Sequence, residues 1–238
     1  MNHRPRSSGH ESMSVSLRAN WRRSYRSTAQ ALIVRSSAAL HKVRALTIAF
    51  TIATIPWHLE AQTQKLFEND RLIAWKLAPG ERSEPLIRDR RLPGVLVALA
   101  DGTVRIFDDV NAITARDIAP GSSFVLIAIK EHPPNTLQIP VGMTRAFPRK
   151  GVRRVFDNDR VSVWNVAWTK GLKTPPHFHD KDVVVIYLDA GTVRSIPLSG
   201  EPTATPRVPG ETVFIPGGRA HIEECIDGPR RDIVIELK

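Results

Sequence analysis

At 238 residues the chain is long enough for one large domain or two small ones, each burying its own core. Its 42% hydrophobic and 24% charged residues exclude general disorder and a multi-span membrane protein. The net charge of +10 is concentrated at one end: residues 1–44 hold nine Lys and Arg against the single acid Glu11, which leaves +2 for the other 194 residues. No basic stripe interleaved with aromatics occurs in that remainder, so nucleic acid is not expected as a partner.

The chain begins with a Ser- and Arg-rich, acid-poor stretch. Lys42 and Arg44 stand directly before an apolar run, 45–55, and Ala61 offers a small residue at a cleavage point. That is the order of a secretory signal whose apolar part is too short to span a bilayer. Two features sit awkwardly with it. Roughly 40 residues precede the run, as a start site placed too far upstream would give. Leu59 is bulky where a small side chain is preferred. An organelle transit peptide, or a disordered tail and one helix on a cytoplasmic protein, are the alternatives. Residues 1–61 are read as a basic leader with a possible signal sequence, giving a periplasmic or secreted protein with no stable membrane span in the mature chain.

Sliding the remaining sequence against itself by 89 positions reveals a repeat. Phe67, Asn69, Asp70, Arg71 and Trp75 fall on Phe156, Asn158, Asp159, Arg160 and Trp164. Without a gap, the same shift lays Gly102-Thr103-Val104-Arg105 on Gly191-Thr192-Val193-Arg194, Pro120-Gly121 on Pro209-Gly210, and His132 on His221. Two copies of one module are therefore expected, at residues 62–148 and 149–238. Each consists of short apolar, β-branched runs such as 161–168, 183–188, 212–215 and 233–237, bounded by Gly, Pro and Asp. That pattern predicts antiparallel strands in a sandwich or barrel, and prolines cluster between the runs, as at Pro175-Pro176 and Pro206 to Pro209.

The second copy carries candidate chemistry. His177 and His179 are spaced i, i+2, so on a strand they point to the same face. Further on, Gly210, Pro216 and Gly218 precede His221 and can turn a later strand so that a third imidazole returns to the same point. Three neutral imidazoles suit a divalent transition metal, Fe, Mn, Ni, Zn or Cu, and leave positions open for another ligand.

The block from Gly171 through His177 and His179 to Gly191, followed by the block from Gly210 through Pro216 to His221, resembles the paired motifs of the cupin superfamily. The resemblance spans residues 66–238. It is nearest to the small cupins associated with beta-alanine degradation, in Phe156-Asp157-Asn158-Asp159-Arg160, in the 182–185 segment and in the ending Ile235-Glu236-Leu237-Lys238. It implies an all-β fold of two tandem double-stranded β-helix (jelly-roll) barrels, with a metal at the inner wall of the second. The motif's glutamate falls on Val184 and its asparagine on Cys225. Asp182 or Glu223, the latter two residues beyond His221 on the same face, is a candidate to supply the missing oxygen or to move protons. The first copy has Arg88 and Arg90 where the second has His177 and His179, so it is read as a metal-free structural partner.

Other residues have plainer readings. His132 lacks partners and is read as a satisfied or exposed histidine. Trp75 and Trp164 occur in both copies, which favours core packing over substrate stacking, and the Asn-Asp-Arg triplets read as turns. Cys225, the lone cysteine, reads as a small buried filler, with thiolate ligand or nucleophile as the alternative. Arg219, in the turn before His221, is a candidate contact for a carboxylate substrate. The expected function is a metal-binding bicupin, a dioxygenase-like enzyme with Fe as the favoured ion, acting on a small polar or anionic molecule, with a homodimer as the candidate assembly. A non-catalytic binder of a small ligand or metal is the alternative.

Overall fold

The computed structural model describes residues 63–78, 90–114, 116–134 and 136–238; the leader 1–61 and Arg88 lie outside them. The first copy supplies β1 (Gln64–Glu68), β2 (Leu72–Leu77), β3 (Gly94–Ala98), β4 (Val104–Phe107) and β5 (Phe124–Ile129), which form one antiparallel sheet in the order β1-β2-β5-β3-β4. Ten strands follow: β6 (Thr144–Arg145), β7 (Val152–Asp157), β8 (Val161–Trp168), β9 (His177–His179), β10 (Val183–Tyr187), β11 (Gly191–Pro197), β12 (Thr203–Arg207), β13 (Thr212–Ile215), β14 (Arg219–Cys225) and β15 (Arg230–Leu237). They build two further sheets, β13-β10-β15-β8-β7 and β12-β11-β14-β9-β6, the walls of a barrel. Among the described residues the fold is all-β, with one 3-10 turn at Val110–Ala112. Strand β6 precedes the expected boundary at 148, yet it pairs in parallel with β9, Thr144 beside His177, and so adds to the second barrel.

Strands β5 and β10 are apolar on both faces because both faces are covered. On β2, Leu72 and Ala74 pack toward the second copy, while Ile73, Trp75 and Leu77 pack the other way. On β10, Val184 and Ile186 face the first copy, while Val183, Val185 and Tyr187 face into the barrel. The two copies therefore meet back to back, sheet face on sheet face.

Strand pairing matches β1 to β5 with strands of the second copy, but one register does not serve all of them. For β1, β2 and β3 the shift of 89 holds, laying them on β7, β8 and β10, with Gly94–Ala98 on Val183–Tyr187. After that point the partners change. Gly94 pairs with Phe107 and Val183 with Ile215, so β4 matches β13 at a shift of 108. Likewise Leu72 pairs with Ile129 and Val161 with Leu237, so β5 matches β15 at 108. The turns agree. Gly102 N donates to Ala98 O at 2.9 Å and Gly210 N to Tyr187 O at 2.7 Å, and these two glycines share left-handed φ values of 76° and 82°, which glycine adopts without steric cost. Gly102 thus corresponds to Gly210, not Gly191.

The extra length in the second copy is the hairpin β11–β12, which belongs to the sheet that faces the barrel interior from the far side. Among its described residues the first copy has no counterpart to that hairpin. Among the described residues it contributes one sheet, whose inward face is capped by Leu92, Val110, Ile113 and Ile118. His132 follows β5, which corresponds to β15, whereas His221 lies on β14, so its match to His221 fails. Its Nε2 lies 3.6 Å from an Asp70 carboxylate oxygen at the surface. The Asn-Asp-Arg triplets behave as read: Asn69 Oδ1 accepts from the backbone N–H groups of Arg71 and Leu72, and Asn158 Oδ1 from those of Arg160 and Val161.

Asp182 lies on this inter-copy seam. One oxygen faces Arg71 Nη1 at 3.3 Å, an ion pair outside hydrogen-bond alignment, and the other accepts from Gly217 N at 2.9 Å. Both side chains are under a tenth exposed. Removing one partner strands the other charge, so Asp182→Ala is expected to cost about 3 kcal/mol in urea denaturation while leaving metal content unchanged. Val184 is fully buried in the same seam. Val184→Glu, which would restore the motif's glutamate, is expected to destabilise the protein by about 3 kcal/mol or more and to add nothing to metal affinity measured by titration.

Candidate metal centre

Pairing between β9 and β14 assembles the site. The register sets His221 opposite His177 and Arg219 opposite His179, so the imidazoles at 177, 179 and 221 share one face of the sheet. Glu223 follows on the same face of β14, opposite Ser195 of β11. The three rings lie edge to face with centroids 4.8–5.1 Å apart, and one donor atom from each histidine and from Glu223 fall within 4.8 Å of one another.

Each ring is held. His177 Nδ1–H donates to Pro175 O at 2.9 Å, which turns its Nε2 lone pair inward. His221 Nδ1 shares a 2.9 Å hydrogen bond with Ser195 Oγ, so its Nε2 also faces the cluster. His179 Nε2 lies 3.1 Å from His221 Nε2, and His179 Nδ1 is buried with no partner among protein atoms. Phe147 stands edge-on to the His179 ring and stacks on Trp164, whose Nε1–H donates to Glu236 at 2.7 Å. Both tryptophans sit in core clusters, as their presence in both copies implied.

Burial penalises charged imidazole and brings His179 down to about 3 and His221 to about 4, with His177 lowered for the same reason. Burial alone would raise Glu223, but Arg149 and then the three imidazoles outweigh it and bring its carboxyl to about 2. At neutral pH the cluster is three neutral nitrogen bases and one carboxylate. That set, at this spacing, fits one divalent cation bound through bonds of about 2 Å. His177, His179, His221 and Glu223 could hold such an ion.

A cavity of about 130 Å³ opens in front of the cluster between the two barrel sheets. Its walls carry Val166, Val183, Val185 and Val234, and its polar lining includes Arg149, Tyr187, Arg207, Arg219, Arg230 and Asp232. Arg230 is fully buried, bonds both Asp232 oxygens at 2.9 Å and lies 4.7 Å from the Tyr187 ring centre. Arg207 approaches the same ring at 5.1 Å.

Of the residues singled out from sequence, the three histidines and Glu223 come together, and Arg219 is an exposed residue of the cavity lining. Asp182 does not line the cavity, being committed to Arg71 and Gly217. Cys225 is a buried filler whose thiol contacts Asp227 O at 2.7 Å, and burial raises its pKa, the opposite of what a thiolate ligand requires. Val184 points away from the histidines, so the carboxylate comes instead from β14. Arg149 was not foreseen: it lies in the connection between β6 and β7, where no periodicity marks its direction. Ser195, by contrast, shares a face of β11 with Val193, another lining residue, and its parity was readable.

No family model matches the chain, and no curated protein matches it. Among solved structures, a cupin domain from Bordetella pertussis Tohama I is 26% identical, covering 41% of this chain and 99% of its own, at a TM-score of 0.36. A cupin 2 conserved barrel domain protein from Leptotrichia buccalis is 15% identical over 74% of this chain and 88% of its own, at 0.39. DMSP lyase DddQ from Ruegeria pomeroyi DSS-3 is 26% identical over 34% of this chain and 40% of its own, at 0.29. Two facing five-stranded sheets, with a His-x-His strand paired to the strand that returns the third histidine, are the arrangement that the sequence's resemblance to the cupin superfamily implies.

Proposed function

We propose that the protein is a metal-dependent cupin enzyme, dioxygenase-like, acting on a small anionic organic molecule. The observation that carries this reading is the convergence of three neutral imidazoles and one carboxylate at the inner wall of a cavity rich in arginine. His177, His179, His221 and Glu223 are assigned as ligands, with Fe as the favoured ion. Such an ion would supply Lewis acidity or an oxygen-binding centre.

The chain's own groups do the rest. Arg207 and Arg219 give the cavity a positive field that draws in an anion and orients its charged end. The valine-rich wall keeps the reacting end out of bulk water, where polar contacts gain strength. Tyr187, pushed by burial up to about 12, stays protonated at neutral pH and offers an O–H donor rather than a base. The cavity volume limits the ligand to a few carbons.

Loading with Fe(II) should give oxygen uptake with members of a panel of short carboxylic acids, thiols and diketones. His179→Ala is expected to cut metal content at least about tenfold, since loss of even an outer-shell partner costs that much, and to abolish turnover with the fold retained by circular dichroism. Full metal occupancy in that variant would remove the assignment. A ligand that binds only with metal and is recovered unchanged would make the protein a binder.

We also propose export. Its support is the order of Lys42, Arg44, the apolar run 45–55 and Ala61; among the described residues no helix is long and apolar enough to cross a membrane. Protein isolated from its source cell should begin near residue 62 by terminal sequencing, and a chain still starting at Met1 would refute cleavage.

A further inference from the structure

Among the described residues, Arg149 is the cation in hydrogen-bond contact with the donor cluster. Its Nη1 donates to His177 Nε2 at 3.2 Å and its Nη2 to Glu223 Oε2 at 3.0 Å. A neutral imidazole nitrogen has a single in-plane lone pair, which can accept an N–H or bind a metal ion but not both. The other ring nitrogen offers His177 no way out, because it is already bonded to Pro175 O. A guanidinium and a dication sharing one partly buried carboxylate also repel each other. The guanidinium therefore stands on a lone pair that an ion would need.

Arg149 has somewhere to go. It lies between β6 and β7 rather than within a strand, so its side chain can swing without disturbing a ladder. Its remaining contacts are non-directional, over the rings of Phe147 and Trp168 at 5.1 and 5.3 Å. It already lines the cavity, as Ser195 and His221 do.

We propose that Arg149 is a built-in competitor of the metal: it holds His177 and Glu223 until a divalent cation turns it out, and the displaced guanidinium then anchors the anionic end of the bound small molecule. This rests on the metal-centre reading. Ion and anion are consequently coupled with one sign, since an anion that retains Arg149 in the cavity keeps it off His177, and by linkage each tightens the other.

Zinc titration of the chelator-stripped full chain tests this, with a chromogenic competitor as indicator and propionate as the probe anion. Arg149→Met keeps the bulk over Phe147 and Trp168 without the charge. It should bind Zn²⁺ at least tenfold tighter than the unmutated chain, and equal or weaker binding overturns the proposal. Saturating propionate should tighten Zn²⁺ binding severalfold in the unmutated chain and leave Arg149→Met unchanged; no effect on the unmutated chain removes the anchoring role.

Should the variant not fold, phenylglyoxal labelling of the unmutated chain, read by peptide mass spectrometry, gives the answer. Modification of Arg149 relative to exposed Arg153 should rise when Zn²⁺ is added, and a flat or falling ratio overturns the displacement. The two readings fail differently. Zinc binding that is absent, or indifferent to His179→Ala, sinks the metal centre and this proposal together; His179-dependent binding with no gain in Arg149→Met sinks this proposal alone.

Discussion

The registered pairing of β14 against β9 is the constraint on which the chemistry depends. Strand side chains alternate with period 2, so a slip of one residue would turn His221 and Glu223 to the opposite face. Here His221 stands directly across from His177, and Arg219 from His179. Several contacts pin that alignment. Gly218 N donates to His179 O at 2.8 Å at one end, and Thr174 N donates to Glu223 O at 2.8 Å beyond the other. Glu223 N in turn donates to Thr174 Oγ1 at 2.9 Å. The ladder is thus locked on both sides of the cluster.

The barrel sheet that backs this ladder is loaded on both faces. Its inner face meets the cavity, while its outer face is buried against the first copy, as Val184, Ile186, Ile233 and Ile235 show. Polar groups within it are matched rather than exposed: Trp168 Nε1–H donates to Asp232 at 2.6 Å, and Asp232 holds Arg230. Burial raises the pKa of Asp232 even so, against the pull of Arg230. A wall this constrained places the cavity's side chains accurately.

The sequence was most legible where strands alternate and turns demand particular residues. The His-x-His spacing, the return of His221 and the parity of Glu223 all follow from a period of 2, and the structure brings the four together. The fold class was legible for the same reason, together with the repeat. The repeat's register was not legible beyond β3, because Gly-Thr-Val-Arg occurs at 102 and at 191 and an ungapped match through it looked complete. Only strand pairing shows that the second copy gained a hairpin there. Val184 misled through spacing alone: counting residues from a histidine does not say which face a strand position takes, and burial against the first copy does. Arg149 was invisible because a loop residue has no period from which to infer direction.

Equivalent positions supply both halves of the seam. Leu72 and Val161, Ala74 and Val163, Val95 and Val184, Val97 and Ile186, and, at the longer spacing, Ile127 and Ile235 all lie in one apolar cluster. This is the self-complementary geometry of a two-fold subunit contact, realised inside a single polypeptide. Joining the halves by a peptide link replaces a bimolecular encounter with an intramolecular one, so dilution cannot separate them. With its partner permanently attached, the first copy packs Leu92, Val110, Ile113 and Ile118 on its own inner face and serves as a fixed backing plate for the sheet that meets the cavity.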